Sequence, residues 1–261
     1  MDGKQLVSHF ARIGARVRVR EDVVGGLRLD IARDDHGQFF DVVKPRGVEA
    51  RVVDVDPGLR HLLLLGVNTD SAKAKHRYLC GHDEREWFVA AVPGNGVSRV
   101  RQAMEALKPD VVRSEQERKQ VRGTARLRRR TSAYIRQGEW FFLPRPGLKP
   151  QESLVLQNEP LSRGRGKPHW AEFLYREGGE SVMVSSTHPR GISLERYREL
   201  IRAKPGAAAR DWRPMRRNPT AYVKGTVRHP DHATIRLECW HLVVLNTEGQ
   251  APGARHVVFL D

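Results

Sequence analysis

Three stretches of this chain carry side chains that could hold a metal ion or move a proton. His169-Trp170-Ala171-Glu172 sets an imidazole three residues before a carboxylate. His229-Pro230-Asp231-His232 gathers two imidazoles and a carboxylate within four positions, and His82-Asp83-Glu84 is a third cluster. A metal-dependent nuclease needs several carboxylates or histidines converging on one or two cations. The pool for such a site is His169, Glu172, His229, Asp231 and His232, and a divalent metal is the only cofactor that the chain suggests. Established hydrolase spacings are missing: there is no His-Glu-x-x-His, no His-x-Glu accompanied by Pro-Cys-x-x-Cys, and no Gly-x-Ser-x-Gly.

Cys80-Gly81-His82 and Cys239-Trp240-His241 are a second, different kind of candidate. Two thiolates and two imidazoles make a tetrahedral zinc set. On a strand, residues two apart point the same way, so each pair could bind from one face. Cys80, His82, Cys239 and His241 would then have to meet across the fold, and the one-residue spacer is not the usual knuckle spacing. Buried free cysteines with nearby structural histidines are the competing reading.

Cations form the densest signal. Residues 113–136 hold nine Lys or Arg against two Glu. Lys119, Arg122, Arg126, Arg128, Arg129 and Arg130 are candidates for gripping phosphates, since each guanidinium offers a planar fork. Arg163, Arg165 and Lys167, spaced by glycines, would extend the track, and Arg216 and Arg217 lie near Trp212 and Tyr222 as a third patch. The phosphate-loop spacing Gly-x-x-x-x-Gly-Lys-Ser/Thr is absent, so no nucleoside triphosphate site is expected.

These residues need elements to place them. Leu6, Phe10 and Ile13 have helical spacing and predict a helix over residues 4–13. Alternation predicts strands from Val17 onward, with turns at Gly25-Gly26, Asp34–Gly37, Asp56–Gly58 and Gly81–Glu84. Glu86–Val92 followed by a helix from Ser98 to Leu107 resembles Glu180–Ser186 followed by a helix after Ser193, with Ser98 and Ser193 as caps. The loops before both helices, Pro93–Gly96 and Thr187–Gly191, sit where helix N-termini favour anions. The expected fold is therefore α+β, with two similar antiparallel-sheet-plus-helix units in tandem and a C-terminal β-hairpin. The divisions are 1–112, a basic connector at 113–136, a second unit at 137–206, and a linker with the hairpin at 207–261. That hairpin turns at His229–His232, and Val257–Leu260 is expected as an edge strand.

Bulk properties narrow the function. A 39% hydrophobic, 30% charged chain of 261 residues is globular rather than disordered. Two cysteines do not make a disulfide framework and fit a reducing compartment. Apolar runs such as Leu62–Leu65 are far too short to span a bilayer, and no apolar stretch follows the N-terminus. The expected location is the cytoplasm, with no membrane partner. A formal charge of +15 calls for a polyanionic partner. The leading expectation is a nucleic-acid-binding protein, with RNA or single strands favoured, and with protein partners in a larger ribonucleoprotein complex. A metal-dependent nuclease is the alternative, and a module docking an acidic protein is the third.

Overall fold

The computed structural model describes residues 3–23, 26–68, 75–162, 167–251 and 254, and shows a mixed α+β chain. The turn at Gly25, the loop with Arg163 and Arg165, and the strand expected at Val257–Leu260 lie outside the described residues. In the first half, α1 (Gly3–Ala11) buries Leu6 and Phe10 at the predicted helical spacing. A small sheet follows, of β1 (Val17–Asp22), β2 (Arg28–Asp34) and β3 (Gly37–Pro45), with β3 in the middle. The Asp34–Gly37 turn closes β2 onto β3 as expected. β1 pairs with β3 in parallel, so this half is not wholly antiparallel. The tight turn commits one edge of β3 to β2, which leaves β1 the other edge.

A four-stranded antiparallel sheet comes next, in the order β4 (Val48–Asp56), β5 (His61–Asn68), β6 (Lys75–Asp83), β7 (Glu86–Val92). β5 is continuously apolar because both faces are covered. Leu62 and Leu64 join Phe10, Leu29, Phe40 and Tyr78 in one core. Leu63 packs on the other side against Val100, Ala103 and Leu107 of the region around α2 (Val100–Ala106).

Ser98 is not the side-chain cap of α2. The N-cap falls one residue later, at Arg99, and the Gln102 side chain accepts from the backbone N–H groups of Ser98 and Arg99 at 3.0 and 3.2 Å. The first helical N–H, of Val100, donates to Asp54 Oδ2 at 2.8 Å, so it is not held open for an anion. Pro109 ends this helix and opens α3 (Asp110–Arg118). Residues 110–134 are a packed part of the fold: Val112, Val121, Ala133 and Tyr134 share a core with Phe141 and Leu143.

The second half is a six-stranded antiparallel sheet. Its strands are β8 (Ile135–Gln137), β9 (Trp140–Pro144), β10 (Leu156–Leu161), β11 (His169–Glu177), β15 (Thr220–His229) and β16 (His232–Leu245). They lie in the order β10-β11-β15-β16-β9-β8. The β15–β16 hairpin, expected as a C-terminal appendage, is the middle of this sheet. Between β11 and β15 the chain makes a satellite of β12 (Glu180–Ser185), β13 (His188–Ser193), α4 (Leu194–Ala203) and β14 (Arg213–Arg217). Ser193 caps α4 as predicted, accepting from Arg196 N–H at 3.2 Å. The two strand-and-helix stretches that look alike in sequence thus occupy unlike settings. β7 and α2 are built into the first-half core, whereas α4 has no fully buried residue and packs beside a separate sheet. Thr247, just after β16, ties the halves together by donating to Leu107 O at 3.0 Å and Ala106 O at 2.8 Å. Among the described residues no helix is long and apolar enough to cross a membrane.

Candidate functional site

Alternation along β11, β15 and β16 sorts side chains onto two faces of the large sheet. Trp170 and Arg228 pair with their side chains on the outer face, and His229 pairs with His232, which lines His169 up beside His229 and His232 on the inner face of three adjacent strands. The ring centroids are 4.2 Å apart for His169–His229, 4.7 Å for His229–His232 and 5.5 Å for His169–His232. One nitrogen from each ring lies within 4.8 Å of the others, and this is the only such group of His, Cys, Asp and Glu among the described residues. The Pro230-Asp231 turn holds the hairpin tip, with Asp231 N–H donating to His229 Nδ1 at 3.2 Å.

His169 is 2% exposed, and neither of its ring nitrogens has a hydrogen-bond partner. Burial pushes its pKa down to about 3, helped by the neighbouring His229 and His232. Burial and His229 likewise bring His232 down to about 4, against an opposing pull from Asp83. Both rings are therefore neutral at physiological pH, which leaves nitrogen lone pairs free to bind. Gly138 lets β9 pass this close: its φ is +57°, and a Cβ there would sit 2.7 Å from His232 Nε2.

Facing the cluster is the tip of the β6–β7 hairpin. Asp83 binds Arg136 at 2.8 Å and Arg129 at 3.3 Å, and Glu84 binds Arg129 and accepts from Ala233 N–H. Burial alone would raise the Asp83 pKa, but Arg136 and Arg129 outweigh it and the net shift is downward. Glu84 Oε2 stands 3.9 Å from His232 Nδ1. Between the two tips runs a cleft of about 350 Å3, lined by Trp87, Phe88, Lys108, Tyr134, His229 and His232 among others.

The outer face carries rings of another kind. Tyr175, Tyr222 and Trp240 form a row, with centroids 6.1 Å apart for Tyr175–Tyr222 and 6.4 Å for Tyr175–Trp240. All three are half-buried, so each keeps surface open to solvent. Arg145, whose backbone N–H donates to Trp240 O at 2.7 Å, sits with Tyr222 and the ion-paired Arg118 and Glu115 around a shallow depression. The basic segment rises from this side of the sheet, since its Val112 and Val121 pack with Leu242 and Val244 of β16.

Within that segment the cations divide. Arg126 points inward to Glu105 at 3.2 Å, and Arg129 to Asp83 at 3.3 Å. The backbone between is pinned by Lys108, Gln116 and Tyr134, which all donate to Arg126 O at 2.7 to 2.9 Å. Lys119, Arg122, Arg128 and Arg130 are exposed and make no ion pair among the described residues. Lys167 and Arg217 are neutralised by Asp231 and Glu180 at 2.7 and 2.6 Å. Arg216 is exposed and reaches only the Gly178 and Gly179 carbonyls, at 3.4 and 3.5 Å.

Of the nuclease pool, His169, His229 and His232 come together, with Asp231 at the cleft edge. Glu172 does not join them. It lies on the outer face and accepts from Thr226 N–H at 2.7 Å, a bond that keeps its pKa low. The zinc set is also dispersed. Cys80 is sealed in the first-half core, where burial pushes its thiol pKa up, while Cys239 and His241 lie on β16 in the other sheet. His82 packs edge-on against Trp87. Asp83 and Glu84 stood out in the sequence as a candidate catalytic cluster with His82 and as a turn, and Arg136 as part of the basic run, but not as ion-pair partners facing the histidines. Tyr175 and Trp240 carried no signal beyond their place on alternating strands. Comparison with protein-family models, curated proteins and solved structures returns no match to this chain.

Proposed function

We propose that this protein binds single-stranded nucleic acid, RNA above all, across the outer face of the large sheet. The observation that carries the reading is the half-buried row of Tyr175, Tyr222 and Trp240, with Arg145 beside Tyr222 and with both tyrosine hydroxyls donating to Glu177 at 3.3 and 2.9 Å. Aromatic rings stack on any unpaired base, at about 1–3 kcal/mol each, and a basic groove tracks the backbone. Arg145, Lys119, Arg122, Arg128 and Arg130 would take phosphates, and Arg163, Arg165 and Arg216 would lengthen the track. The net charge of +15 supplies long-range attraction. No helix among the described residues exceeds ten residues, which fits strand and loop contacts better than major-groove insertion. A cytoplasmic setting within a larger ribonucleoprotein suits this reading.

Titration of fluorescein-labelled single-stranded RNA, single-stranded DNA and duplex tests it. Binding that favours single strands and weakens steeply with salt supports the proposal. Absence of binding at moderate salt, with retention on an acidic protein column, would favour docking to an acidic protein instead. The convergence of three imidazoles favours a second reading, a metal-dependent nuclease. Cleavage of the same strands that stops with EDTA and in His169→Ala would establish it.

A further inference from the structure

We infer that His169, His229 and His232 bind one divalent transition-metal ion of the zinc class, with an open coordination position facing the cleft. The inference rests on the imidazoles and needs no nucleic acid. A buried polar side chain with no partner calls for an explanation, such as an ion. His169 is 98% buried by its 2% exposure, and both of its nitrogens lack partners, as does His232 Nδ1. A buried ring of this kind placed for packing alone would leave two desolvated nitrogens unsatisfied, and an apolar side chain would serve better.

The donor set selects the ion. Imidazole nitrogens suit zinc, copper, nickel and iron, while magnesium and calcium prefer oxygen ligands. Three protein ligands with an open position is the pattern of a catalytic zinc, bound at about 2.0–2.1 Å from each nitrogen. The nitrogens lie within 4.8 Å of one another on rings only 23° to 30° apart in plane, so binding requires the rings to turn as well as close until their in-plane lone pairs converge on the ion. His229 now has two long backbone contacts, Nε2 to Lys167 O at 3.3 Å and Nδ1 from Asp231 N–H at 3.2 Å. Binding exchanges one of these for the ion. Around the ligands, Glu84 at 3.9 Å from His232 and the Lys167 carbonyl beside His229 are the kind of partners that orient metal-binding imidazoles.

The test uses tag-free full-length protein, stripped with chelator and titrated with zinc chloride by calorimetry. Cobalt(II) absorption is recorded in parallel. One site per chain is expected, with intense visible cobalt bands of low coordination number. His169→Ala should weaken zinc at least 100-fold, and His232→Gln at least 10-fold. Glu172→Gln on the opposite face should leave affinity unchanged. Should His169→Ala misfold, two-dimensional imidazole NMR of the intact protein with and without zinc replaces it, and the resonances of all three rings should shift. Absence of a stoichiometric site, or equal affinity in folded wild type and His232→Gln, overturns the inference. Metal binding without strand cleavage leaves it standing and removes only the nuclease reading.

Discussion

The two faces of the six-stranded sheet are made by the same three strands and have opposite chemistry. On the inner face His169, His229 and His232 lie ring against ring and largely dry, with burial holding His169 and His232 below the usual imidazole range. On the outer face Tyr175, Tyr222 and Trp240 stay partly open, with Arg145 and the Glu115-paired Arg118 around Tyr222. Period-two alternation produces this sorting, since neighbours such as Tyr222 and Val223 must point to opposite sides. The difference also separates groups that hold the fold from groups that remain available. Arg129 and Arg136 are bound to carboxylates in the cleft, while Arg128 and Arg130, one position away from Arg129, are exposed. Charge density alone does not mark an interface; charge left without a partner does.

Breaking the cleft's ion pairs should have the largest effect, and it should fall on stability. Asp83 is 13% exposed at the side chain, so Asp83→Ala leaves Arg136 without its counter-charge, whereas Glu84→Ala leaves Arg129 still paired with Asp83 and should cost less. A loss of about 3 kcal/mol is expected for Asp83→Ala in denaturant unfolding, because removing one member of a buried pair strands the other. The same chemistry on the outward side, in Arg128→Ala, should move stability by less than about 0.5 kcal/mol.

Acid provides the next contrast. In the folded chain His169 is held down to about 3 and His232 to about 4, from an ordinary value of 6.5. As pH falls below 6.5 the unfolded chain takes up protons first, so stability is complete above that value and declines towards pH 4. The expected loss from each ring taken alone is on the order of 3 kcal/mol, read by unfolding at a series of pH values. His169→Phe should flatten that decline, whereas Tyr222→Ala should leave its shape alone.

Smaller again is the contribution of individual outward cations. The double variant Arg128→Ala with Arg130→Ala should lower the slope of log affinity against log salt by about 1.4, since each phosphate contact on a single strand contributes about 0.7. Anisotropy titrations at four salt concentrations measure it. An unchanged slope would place the strand elsewhere.

The hairpin at His229–His232 was legible because Pro230 and Asp231 are turn formers between two alternating runs. The arrival of His169 beside it was not, since it depends on the register of β11 on β15, which shifts at a bulge between Ala171 and Phe173. Alternation shows that Cys80 and His82 share a side of β6, and Cys239 and His241 a side of β16, but it says nothing about which sheet either strand joins. The zinc set failed for that reason. The basic run was plain at 126–130, yet its division into inward and outward residues rests on Glu105, Asp83 and Glu84, which lie far off in sequence. The similarity of the two strand-and-helix stretches reflected local capping and stop signals, and local signals do not determine whether β12 builds into a large sheet or a satellite.

Single-strand affinity after loss of the outer rings tests the central proposal most directly. Tyr222→Ala and Trp240→Ala, assayed with labelled RNA at fixed salt, should each weaken binding about 10-fold, in line with about 1–3 kcal/mol per stacked base, with the salt slope preserved. Wild-type affinity in both folded variants would contradict the assignment of the outer face.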